Sequence, residues 1–139
     1  MHKVEEIGLI ARSDDMPKAF SKLAVDMFNL VIDVGEIDLI QTRTFIIRAR
    51  NINNLLFQFM KRLFDLANNE LFVLATVNSL TIEKVSNEYL LTTILIGDKI
   101  NQNYKVKDII KQVTDRNIIV KEDRDGAVAQ INLVVERRK

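Results

Sequence analysis

Apolar and polar positions alternate in two distinct rhythms along this chain, and the change of rhythm marks its elements. Residues 4–12, VEEIGLIAR, are short and rich in apolar residues and end at the turn-like Ser13-Asp14-Asp15, which predicts a strand. Asp14 or Asp15 then stands as N-cap with Pro17 in the first helical turn, where its missing N–H costs nothing. Apolar residues follow at Met16, Ala19, Phe20, Leu23, Ala24, Met27 and Phe28, the 3-4-3 spacing of one buried helical stripe. This helix is expected to stop near Val31, ahead of Asp33-Val34-Gly35.

A second strand is expected over 43–50, RTFIIRAR. Asn51 or Asn53 can cap a second helix with apolar positions Leu55, Leu56, Phe59, Met60, Leu63, Leu66 and Ala67, closed by Asn68-Asn69. The remainder reads as strands: 71–77, 80–85 and 88–96 ending at Gly97, a polar loop over 98–106, then 107–121 interrupted near Asp115-Arg116-Asn117. A last strand, 127–136, follows the Asp123-Arg124-Asp125-Gly126 turn. Two amphipathic helices with six or seven strands bunched late predict an α+β fold, the helices packed on a mostly antiparallel sheet assembly. Without an internal repeat or a linker, residues 1–139 are expected to form a single domain.

Composition narrows the chemistry. With 47% hydrophobic and 28% charged residues the chain reads as globular, with no need of covalent staples at 139 residues. It has no cysteine, which excludes disulfides, thiolate metal sites and cysteine nucleophiles. Twenty basic residues against nineteen acidic ones leave +1, whereas a chain that grips nucleic acid by itself needs a basic excess or face. No stretch is long enough for a membrane span, and Glu5-Glu6 stand where a signal peptide needs an apolar core. A cytoplasmic protein without membrane contact is expected.

Four glycines, at 8, 35, 97 and 126, cannot build a phosphate loop, and a lone histidine, His2, leaves no base for a hydrolytic triad. His2, beside the terminus, reads as a solvated end residue. Any metal site is confined to oxygen ligands and hence to a hard cation such as calcium or magnesium. Asp14 and Asp15 serve as caps, and Asp123 and Asp125 as turn residues. Glu5, Glu6 and Glu136 are less easily absorbed, since they sit within or at the edges of apolar strands. Strand alternation puts Glu6 on the face of Val4 and Gly8, opposite Glu5 and Ile7. A solvated strand end and a ligand remain the two readings of Glu6 and Glu136.

The order of segments resembles the archease family over roughly residues 2–136. Glu6-Ile7-Gly8 stands in the place of that family's Asp-Ile-Gly, and the first helix arrives in register with Phe20 and residues 23–31, LAVDMFNLV. Residues 55–64, LLFQFMKRLF, are similar to its second helix. Gly97-Asp98 and residues 109–116, IIKQVTDR, are similar to its Gly-Glu and its Glu-(Ile/Val)-Lys-Ala-Val-Thr-Tyr-His run. The departures are specific too. The family's first-strand histidine falls at Lys3, its helix tryptophan at Phe59 and its helix glutamate at Arg62. Its Tyr-His falls at Asp115-Arg116, and its terminal aspartate falls near Val134, two residues before Glu136.

The resemblance implies a protein cofactor of an RtcB-type RNA ligase, one that promotes the ligase's guanylylation and multiple turnover in tRNA splicing, and no enzymatic activity or catalytic residues of its own. It implies a divalent cation, calcium ahead of magnesium or manganese, at Glu6 and Glu136, and ligase activation through Lys111 and Thr114. RNA would be met only through the ligase. Two alternatives stand beside this reading: an archease-like interaction module that has lost metal binding, and a small metal-dependent enzyme acting on nucleotides through Glu6, Glu136 or Asp98.

Overall fold

The computed structural model describes residues 2–138, the side chain of His2 excepted. His2 as a solvated end residue therefore lies outside the described side chains. Seven strands and two helices follow in the order β1 (His2–Ser13), α1 (Met16–Val31), β2 (Gln41–Ala49), α2 (Ile52–Glu70), β3 (Phe72–Val85), β4 (Glu88–Lys99), β5 (Ile109–Val113), β6 (Ile119–Asp123) and β7 (Gly126–Arg138). They form two antiparallel sheets. One has the order β2-β4-β3; in the other β7 is flanked by β1 on one edge and by β5 and then β6 on the other. The fold is α+β.

Both helices are built as their spacing requires. Asp15 caps α1, its Oδ1 accepting from Lys18 N at 2.9 Å, and Asn51 caps α2, accepting from Asn54 N at 2.8 Å. Ala19, Phe20, Leu23, Ala24, Met27 and Phe28 are the buried stripe of α1; Leu55, Leu56, Phe59, Met60, Leu63 and Leu66 are that of α2. Phe20 stacks on Phe59 with ring centroids 6.0 Å apart, and Phe45 of β2 packs on the same ring at 6.2 Å. α1 lies against β1 and β7 of one sheet and β3 of the other, and α2 likewise touches both sheets, so the helices join the two sheets through one core.

The boundaries depart from expectation where backbone geometry overrides pattern. Leu71, expected to open a strand, is the left-handed C-cap of α2 (φ 57°), and the helix runs on to Glu70. The expected strands 71–77 and 80–85 are one strand, β3, with irregular register at Leu74/Thr76 and Val77/Ser79. Those bulges break the two-residue alternation that pattern reading relies on. β4 continues past Gly97 to Lys99, so Asp98 belongs to a strand and not to the loop. Gly97 is required there: a Cβ would fall inside the van der Waals envelope of the Val73 carbonyl oxygen. A 3-10 turn at Val34–Glu36, unforeseen, follows α1.

The connection from β4 to β5 is tied down at several points. Lys107 N and Asp108 N donate to the Val31 and Leu30 carbonyls at 2.6 and 3.1 Å, satisfying the end of α1. Tyr104 Oη donates to Asp98 Oδ2 at 2.6 Å and accepts from Asp38 N at 3.0 Å. Asp98 is only 7% exposed, and its other oxygen accepts from Lys99 N at 2.8 Å. The bond to Asp98, reinforced by partial burial, holds the Tyr104 phenol above its ordinary value of 10.0. A raised native value means that this stabilisation is complete below the unfolded value near 10 and is lost as pH rises through the native one. In denaturant unfolding at a series of pH values, the wild type should therefore exceed Tyr104→Phe in stability at pH 8–9 and converge on it above about pH 10; a constant gap would contradict the assignment.

Candidate functional site

The twelve-residue β1–β7 ladder fixes which side chains share a face. Glu6 lies opposite Val134, Val4 opposite Glu136, and Gly8 opposite Asn132. Residues directly opposite in an antiparallel pair point to the same side. Glu6, Asn132, Val134 and Glu136 thus stand on the outer face, while Ile131, Leu133 and Val135 point into the core with no exposed surface. On the other edge of β7, β5 places Ile110 opposite Val135 and Gln112 opposite Val134, so Lys111 bulges out of the ladder between them. The break between β5 and β6 carries Thr114-Asp115-Arg116-Asn117, turned by Asn117 at φ 59°.

Arg116 reaches from this break across β7 to Glu6. Its Nη2 donates to Glu6 Oε1 at 2.7 Å, and Asn132 Nδ2 donates to Glu6 Oε2 at 2.8 Å. Both carboxylate oxygens of Glu6 are thereby engaged by separate donors. Asn132 has room to do this because Gly8 faces it: a Cβ at Gly8 would come within 3.1 Å of Asn132 Oδ1. The Asn132 backbone is held as well, its carbonyl accepting from Thr114 N at 3.0 Å. Glu136 pairs with Lys111, Nζ to Oε1 3.9 Å, with the lysine side chain half exposed and the glutamate 19% exposed.

The structure thus gathers Glu6, Glu136 and Lys111 on and beside one strand, with Thr114 at its margin. Thr114 is 2% exposed, and its hydroxyl is buried without a hydrogen-bond partner among the described residues. Asp98 does not join them; it lies in the other sheet, committed to Tyr104 and Lys99. Asp15 and Asp123 perform local backbone roles, the latter accepting from Asp125 N at 2.8 Å. Glu5, on the opposite side of β1 from Glu6, pairs with Arg137 at 3.2 Å. Glu5 first, and Asp108 at 3.1 Å next, raise the Arg137 guanidinium above its ordinary value. Sequence reasoning missed Asn132 and treated Arg116 as a departure, not as a participant. The signal available was Gly8, an isolated glycine in a strand, which marks a close approach.

The family model described as the Archease protein family (MTH1598/TM1083) matches residues 6–135. The chain belongs to the archease family. It is similar to proteins named protein archease from Pyrococcus abyssi, at 22% identity, and from Thermococcus kodakarensis, at 24%; each match covers 87% of this chain and 85% of the relative. The solution structure of Methanobacterium thermoautotrophicum protein 1598 superposes with a TM-score of 0.81 at 18% identity, covering 96% of this chain and 97% of that one, and so shares its fold.

The donor set in this archease-family chain fits a divalent cation poorly. A calcium site takes six to eight oxygens, carboxylates foremost. Here the position facing Glu6 is Val134, an apolar side chain. Both oxygens of Glu6 already accept hydrogen bonds, and Glu136 lies beside an ammonium group. Among the described residues, no group of three or more acidic, histidine or cysteine side chains comes together as a cation site.

The Asn132–Glu6 bond is open to a thermodynamic cycle. Asn132→Ala and Glu6→Ala should each lower stability by about 0.5–1.5 kcal/mol in urea unfolding. The double variant should cost less than their sum by about 0.5 kcal/mol or more. Strict additivity would show that the contact is not made in solution.

Proposed function

We propose that this chain acts as a protein cofactor of an RtcB-type RNA ligase in the cytoplasm, promoting the ligase's guanylylation and sustaining multiple turnover in tRNA splicing. Archease-family membership supports a protein-cofactor role in general, and it is the observation that carries the proposal. Three features agree with it. The near-neutral charge of +1 suits a protein that meets RNA through a partner rather than by its own phosphate contacts. The two carboxylates of the site, Glu6 and Glu136, are each paired with a cation. No helix among the described residues is long and apolar enough to cross a membrane.

In this reading the outer face of β1, β7 and β5 is what the ligase meets. Lys111, half exposed and 3.9 Å from Glu136, presents an ammonium that can meet a nucleotide phosphate or a ligase carboxylate. Glu6 supplies a carboxylate held in one orientation by two donors, and Thr114, buried at the margin of the cluster, supports it through its backbone N–H to the Asn132 carbonyl. A cluster of this kind stabilises a partner's transition state by preorganised charge, without chemistry of its own. The second reading, an interaction module without metal binding, is favoured by one observation, the guanidinium already seated on Glu6.

Ligase assays under limiting enzyme decide between activation and its absence. Adding this protein should raise the number of ligation turnovers and the GTP-dependent fraction of guanylylated ligase. Lys111→Ala and Glu6→Gln should each reduce the stimulation by about tenfold or more, the worth of one charge-assisted hydrogen bond. Absence of stimulation, with ligases from several sources supplied, would overturn the proposal.

A further inference from the structure

Among the described residues, the two carboxylates of the outer-face cluster, Glu6 and Glu136, each pair with a side-chain cation, Arg116 and Lys111 respectively. A hard cation gains affinity from uncompensated negative charge, and both carboxylates are already compensated. The Arg116–Glu6 pair lies at the surface, with the arginine side chain 65% and the glutamate 33% exposed, but its geometry is directed. Arg116 and Asn132 take one oxygen each of the same carboxylate at 2.7 and 2.8 Å, and Asn132 is fixed in turn by the space at Gly8 and by Thr114 N on its carbonyl. Arg116 comes from the break where β7's edge passes from β5 to β6, so its bond to Glu6 ties that break to β1 across the intervening strand.

We propose that Arg116 takes the place of a divalent cation in this protein: its guanidinium supplies the positive charge on Glu6 and the tie between β1 and the β5–β6 connection. A guanidinium is charged at every physiological pH and offers planar, directed donors to a carboxylate. The site is therefore complete in the folded chain at any metal concentration. Val134 agrees with this, since an apolar residue opposite Glu6 is of no use to an ion and costs nothing beside an arginine. The inference concerns the folded chain alone and holds or fails whether or not a ligase is its partner.

Thermal unfolding of the full chain, followed by circular dichroism, tests it directly. A ligand bound only by the folded state raises the unfolding temperature in a saturable way. The wild type should show no such rise with calcium, magnesium or manganese beyond that produced by sodium chloride of equal ionic strength, and no fall with EDTA. The double variant Arg116→Ala, Val134→Asp removes the guanidinium and adds a carboxylate opposite Glu6; it should gain a saturable calcium response that Glu6→Gln abolishes. A saturable calcium response in the wild type, lost in Glu6→Gln, would overturn the proposal. So would a folded double variant that stays indifferent to calcium, because Arg116 would then not be what excludes the ion.

Discussion

The antiparallel pairing of β1 with β7 is the constraint on which the rest of the structure depends. It joins His2–Ser13 to Ala127–Arg138, so the beginning and end of the chain form the longest ladder of one sheet. Among the described residues, β5 and β6 have no other strand partner than β7. The pairing register is strict because the two faces differ: Ala129, Ile131, Leu133 and Val135 fill the core, while Asn132, Val134 and Glu136 face outward. A slip of one residue would exchange these sets and carry charged groups into the core. The burial of the apolar set therefore determines where Glu6 and Glu136 stand, and the polar cluster is a consequence of core packing.

The helices and the strand face of Glu6 were legible in the sequence for the same reason: both rest on local periodicity. The unbroken 3-4-3 stripe of α1 is buried as its spacing requires, and Asp15 and Asn51 cap as their residue types predict. The alternation of β1 set Glu6 apart from Glu5, and the structure sends the two to different partners, Arg116 and Arg137. What pattern could not show was irregular or non-local. Bulges in β3 disguise one strand as two, and a left-handed Leu71 looks like any apolar strand residue. The partners of Glu6 lie 110 and 126 residues away, a proximity that exists only once β7 has paired.

Family membership and local chemistry point in complementary directions. The shared fold preserves the strand arrangement that brings Glu6 beside β7 and Lys111 beside Glu136. Within that frame, the proposed role of Arg116 is to place a guanidinium on Glu6, where Val134 opposite offers no carboxylate. On this account the protein keeps an activator's face and makes its electrostatics independent of a bound ion. Under the proposed function, balanced net charge has the matching meaning at the scale of the whole chain, where RNA contact would be left to a partner.

The central claim is that this outer face, and no other, is what an RtcB-type ligase meets. Backbone amide shifts of the isotopically labelled protein, followed by NMR during titration with unlabelled ligase, test it most directly. Selective shifts or broadening are expected at residues 4–8, 111–116 and 132–136. Changes confined to the outer face of the β2-β4-β3 sheet, or none while the ligase is stimulated, would contradict it.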